Sequence, residues 1–147
     1  MSGCPGVTAL EHVLLLSDDI ERTREFYEQT LGLRAGERPP LEFAGYWLYA
    51  GGTACLHIAD RSSYRAHAGR LGLDVPERVT GPGPVDHLAF SAGDYDALSQ
   101  RLARRGVRPI RNDLPGGGPR QLFFDDPDGQ RVEINVTAST TEAVGDG

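Results

Sequence analysis

The chain carries one pattern twice. His12 lies in the apolar run Ala9-Leu-Glu-His-Val-Leu-Leu-Leu16, and His87 lies 75 residues later in Val85-Asp-His-Leu-Ala-Phe90. His57 lies in Ala54-Cys-Leu-His-Ile-Ala59, and Glu133 lies 76 residues later in Arg131-Val-Glu-Ile-Asn-Val136. Histidine and glutamate are both side chains that ligate metals. Two pairs at nearly equal spacing imply an internal duplication with a shared site at its seam.

The order of elements supports the duplication. Residues 9–16 read as a strand, and Ser17-Asp-Asp then caps a helix whose apolar face holds Ile20, Phe26, Tyr27 and Leu31. Gly32 is placed to end it. Tyr46–Tyr49 and Ala54–Ala59 flank Gly51-Gly52 as a hairpin. In the second half, Val85–Ser91 reads as a strand, and Tyr95, Leu98 and Leu102 mark a helix ended by Gly106. A short strand over Val107–Arg111 follows. Gln121–Asp125 and Gln130–Val136 then flank the turn Asp126-Pro-Asp-Gly129. Each half is β-α-β-β-β. The expected modules span 9–59 and 85–136, joined by a linker over 60–84 with a short helix around Tyr64–Leu71. Residues 1–8 and 137–147 read as mobile ends.

Strand parity places the side chains. A hairpin centred on Asp128 pairs Glu133 with Phe123 and puts Gln121 on the same face. One centred on Gly52 pairs His57 with Trp47, with Tyr49 beside it. Trp47, Tyr49, Gln121 and Phe123 are therefore candidate substrate-contacting residues.

Composition narrows the function classes. A net charge of −6 argues against nucleic acid or an anionic membrane as partner. No apolar run reaches the roughly 18 residues of a membrane span, and no signal peptide is read at the N-terminus. Cys4 and Cys55 form no disulfide framework, which points to the reducing cytoplasm. All 15 basic residues are arginine, which excludes a lysine base or Schiff base within this chain.

Phe26-Tyr27 with Leu31-Gly32-Leu33, and Asp126-Pro-Asp-Gly129 with Val132-Glu133-Ile134, make the chain resemble the vicinal oxygen chelate superfamily. That superfamily holds glyoxalase I, extradiol dioxygenases, fosfomycin-resistance enzymes and bleomycin-resistance proteins. The resemblance spans residues 9–136 and implies an α+β fold. Its two βαβββ modules form a curved mixed sheet around a central cup, with the helices outside. It implies a divalent metal ion (iron, manganese, nickel, zinc or cobalt) on His12, His57, His87 and Glu133, a small-molecule substrate, and a homodimer that in some relatives completes sites across chains. Two departures stand out. Leu16 replaces the arginine that follows the first ligand in compact bacterial glyoxalase I, which speaks against glutathione-linked chemistry. The lysine used by fosfomycin-resistance enzymes is missing.

The chemistry divides at His57. With His57 as fourth ligand, two open positions suit isomerase or lyase chemistry on a bidentate oxygenated substrate, through a metal-stabilised enolate. Without it, His12, His87 and Glu133 form the two-histidine, one-carboxylate set of Fe(II) oxygenases, and His57 becomes an acid or base. Glu133 is the only carboxylate of the four and can serve as ligand, base or both. The sequence favours the first reading slightly. An extradiol-type dioxygenase is the alternative, and a non-catalytic drug- or metabolite-binding protein is a third.

Overall fold

The computed structural model describes residues 6, 7, 9–77 and 83–137. The first module holds β1 (Val13–Ser17), α1 (Ile20–Leu31), β2 (Arg34–Gly36), β3 (Gly45–Ala50) and β4 (Thr53–Asp60). α2 (Arg61–Leu71) follows. The second module holds β5 (His87–Ala92), α3 (Tyr95–Arg104), β6 (Ile110–Asp113), β7 (Arg120–Asp125) and β8 (Arg131–Val136). The mixed sheet consists of two four-stranded sheets, ordered β1-β4-β3-β2 and β5-β8-β7-β6. In each, the first strand runs parallel to the last and the other pairs are antiparallel. No helix among the described residues is long and apolar enough to cross a membrane.

Local chemistry explains the boundaries. The Asp19 carboxylate accepts from the Arg22 amide to start α1, and Gly32 ends it at φ 75°, a conformation costly for residues with a Cβ. α2 starts three residues earlier than the sequence suggested because Asp60 caps it, accepting from Ser63 N at 2.9 Å. β6 starts at Ile110 rather than Val107. Pro109 has no N–H for a ladder, and Val107 packs against the core instead. The expected mobile ends lie outside the described residues except at 6, 7 and 137, as does linker segment 78–82.

One core serves both modules. Tyr27, Leu48, Leu56 and Ile58 join Leu102, Leu122, Val132 and Ile134 in a single buried cluster. Alternation along each strand puts the strand residues among them on the helix side of the sheets, against Tyr27 of α1 and Leu102 of α3. The opposite faces carry Trp47 and His57 in one module, with His12 just before β1, which starts at Val13 rather than at residue 9, and His87, Phe123 and Glu133 in the other.

A polar clamp joins the modules. Tyr27, fully buried, donates from its hydroxyl to Asp126 Oδ2 at 2.7 Å. Asp126 Oδ1 also accepts from the amides of Asp128 and Gln130 at 2.8 and 2.9 Å, which shapes the β7–β8 turn. Buried Thr23 reaches Asp128 and shares a 2.8 Å hydrogen bond with Ser17. Burial pushes the Tyr27 phenol well above its ordinary range, with the Asp126 charge adding to it, so the donor stays protonated. Tyr27→Phe leaves the Asp126 carboxylate buried with one donor fewer. Urea unfolding should show a loss of about 1–3 kcal/mol; a change within about 0.5 kcal/mol, the range of ordinary surface substitutions, would show that the clamp carries little stability.

Candidate metal centre

The expected hairpin registers are observed. Trp47 pairs with His57 across β3 and β4, and Phe123 pairs with Glu133 across β7 and β8. A bulge between Leu48 and Ala50 interrupts the first hairpin. Tyr49 donates to the Glu37 carbonyl at 2.7 Å and lies against Gly36, where a Cβ would come within 2.8 Å of the ring.

The structure brings the four candidate ligands together in two pairs. In the first module the rings of His12 and His57 stack at 3.7 Å, and Trp47 stacks on His57 at 4.1 Å. His57 is 7% exposed, and this burial, then the nearby His12, hold its pKa below the ordinary 6.5. A neutral imidazole keeps the lone pair that a metal needs. In the second module His87 Nε2 lies 3.6 Å from Glu133 Oε1, with Phe123 edge-on to His87 at 6.5 Å. Among the described residues, no three such side chains converge within one chain.

A further repeat was missed in the sequence. His12 Nδ1 meets Glu11 Oε1 at 2.9 Å, and His87 Nδ1 meets Asp86 Oδ2 at 2.8 Å. Arg131 anchors Asp86 at 3.0 Å. An acid precedes a histidine at equivalent places in both modules. A carboxylate on Nδ1 holds the proton there and leaves Nε2 as the donor nitrogen, as in carboxylate–histidine–metal arrangements. The residues therefore fit a divalent ion by the chemistry of their donor set.

Glu133 is oriented by a run of amides on the same face. Asn112 Nδ2 donates to Gln121 Oε1 at 2.8 Å, Gln121 Nε2 to Asn135 Oδ1 at 3.1 Å, and Asn135 Nδ2 to Glu133 Oε2 at 2.6 Å. The Gln121 amide is thus engaged at both ends.

The fold agrees with the comparisons. The Glyoxalase/Bleomycin resistance protein/Dioxygenase superfamily matches residues 9–134, and the chain belongs to it. The chain is 30% identical over 135 residues to "Glyoxylase I 4" of Arabidopsis thaliana, covering 87% of this chain and 70% of that protein. It is 28% identical over 140 residues to a lactoylglutathione lyase of Haemophilus influenzae, covering 91% and 96% of the two chains. Among solved structures, a glyoxylase/bleomycin resistance protein/dioxygenase domain from Frankia sp. EAN1pec superposes with a TM-score of 0.67 at 19% identity, covering 91% of this chain and 95% of that one.

The depressed pKa of His57 has a checkable sign. Protonation favours the unfolded chain, so the contribution of His57 to stability is present above about pH 6.5 and is lost as pH falls through its folded midpoint. Proton NMR of metal-free protein should place the His57 midpoint below 6.5. His12→Ala should raise it only part of the way, since burial is the larger cause. A midpoint at or above the ordinary value would contradict the stacked, buried geometry.

Proposed function

We propose that the chain is a metal-dependent enzyme of the glyoxalase and dioxygenase type, acting on a small organic molecule with two neighbouring oxygens. The observation that carries this reading is the repeated acid–histidine pair, Glu11–His12 and Asp86–His87, on the open faces of both sheets. His12, His57, His87 and Glu133 would hold the ion, which when bound would supply a Lewis acid for charge developing on the substrate oxygens. Glu133 has Oε2 held by Asn135, and Oε1 is the atom that would take a proton from substrate carbon. Trp47 and Phe123 would wall a flat substrate and exclude water. This favours isomerase or lyase chemistry. Leu16 keeps the reading away from glutathione adducts.

The ion would be shared between two copies of the chain. The helices and the Tyr27–Asp126 clamp join the modules on their core side, which leaves both ligand faces outside the core. The first-module pair of one chain would then meet the second-module pair of its partner.

A second reading is supported by the burial of His57 between the His12 and Trp47 rings, which leaves it only 7% exposed. His57 would then be a wall residue, and His12, His87 and Glu133 would hold Fe(II) for extradiol-type oxygenation. Protein purified without a metal-affinity tag should carry about one divalent ion per chain, and His12→Ala and Glu133→Ala should carry none. Oxygen uptake with catechol under Fe(II) selects the dioxygenase, and turnover of methylglyoxal–thiol adducts without oxygen selects the lyase. Wild-type protein that takes up no metal yet binds small aromatics would be a sequestering protein and would overturn both.

A further inference from the structure

We propose that the groove beside Trp47 is a carboxylate subsite, with Arg38 as its anchor, so that the substrate is a monoanionic organic acid. The inference rests on the metal-centre reading only in placing this group at the edge of the same site. Arg38 lies between β2 and β3 and lines a groove of about 470 Å³ with Glu37, Pro39, Trp47 and Tyr49. Trp47 is the ring stacked on His57. The groove therefore runs up to the first ligand pair.

Arg38 is held by uncharged partners. Its Nη2 donates to the Phe43 carbonyl at 2.6 Å, and its guanidinium lies 5.2 Å from the centre of the Phe43 ring. Its Nε is buried with no partner. Among the described residues no carboxylate lies within ion-pair reach of it; other arginines, such as Arg111, also lack one, but Arg38 alone among the described arginines has a buried nitrogen without a partner. A partly desolvated cation is costly unless an anion meets it. Burial lowers the Arg38 pKa accordingly.

The geometry selects the ligand class. With Nη2 on the Phe43 carbonyl and Nε buried, Nη1 is the donor left to give one charge-assisted hydrogen bond to a carboxylate, and the aromatic wall of Trp47 suits a flat body behind it. Glu37 lines the same groove. Its negative charge disfavours a dianion more than a monoanion, so a carboxylate is preferred over a phosphate.

Trp47 is the only tryptophan, so its fluorescence reads this groove directly. Metal-free protein is titrated with benzoate and with benzamide, which share a ring and differ in charge. Benzoate should bind at least about tenfold more tightly, as one charge-assisted hydrogen bond implies, and added salt should narrow the gap. Arg38→Gln should abolish the preference, weakening benzoate far more than benzamide. Equal binding of the two, binding of neither, or a preference that survives in Arg38→Gln overturns the proposal. The wild-type comparison stands even if the variant folds poorly. Failure of the metal centre would appear separately, as wild-type protein that takes up no ion while the benzoate preference persists.

Discussion

The hydrogen bond from Tyr27 to Asp126 sets the geometry on which everything else rests. It spans 99 residues and joins the middle of α1 to the last turn of the other module. Tyr27 brings apolar ring area into the shared core, and its hydroxyl satisfies a carboxylate that is only 5% exposed. That carboxylate in turn holds the turn between β7 and β8, which fixes the register that puts Glu133 opposite Phe123. The clamp also decides which way the sheets face. The core lies between the sheets and the helices, so the ligand-bearing faces are turned away from it.

The two modules share a plan but meet the candidate site differently. The first offers rings: His12, His57 and Trp47 form a continuous stack, and burial keeps His57 neutral. The second offers a polar lattice, in which three side-chain amides run toward Glu133 and a carboxylate holds His87. An apolar wall on one side and an oriented carboxylate on the other suit a flat substrate that must lose or shift a proton at one defined atom. Arg38 adds a positive edge beyond Trp47, so substrate charge and metal ligation would be read at opposite ends of one surface.

Much of this was legible in the sequence because it follows from local rules. Strand parity and the two hairpin centres place Trp47 against His57 and Phe123 against Glu133, and the structure keeps both pairs. Asp19 and Gly32 bound α1 through capping chemistry that needs no tertiary context. What was not legible depends on distant partners. Phe26-Tyr27 and Asp126-Pro-Asp-Gly129 stand out as two separate family signatures, yet Tyr27 and Asp126 are two halves of one contact. Thr23 and Thr30 are buried in α1 where a hydrophobic reading expects apolar residues, Thr23 because its hydroxyl serves the clamp. Gln121 reads as a substrate-contacting residue by parity, and only the path of β6 shows that Asn112 and Asn135 engage its amide. Glu11 and Asp86 were within reach of the sequence, since each precedes a paired histidine at the same spacing as the histidines themselves. Arg38 was not, because its isolation from carboxylates depends on the fold around the 37–44 segment.

On the proposed function, the ligand pairs face away from the core and a second copy of the chain would join them. Mixing two inactive variants tests this most directly. His12→Ala/His57→Ala removes the first pair, and His87→Ala/Glu133→Ala removes the second. Neither variant alone should bind the ion. After the two are unfolded together and refolded, mixed dimers should regain about one ion each, counted by native mass spectrometry. Mixed dimers that form but stay metal-free, while wild-type dimers bind the ion, would contradict the shared site.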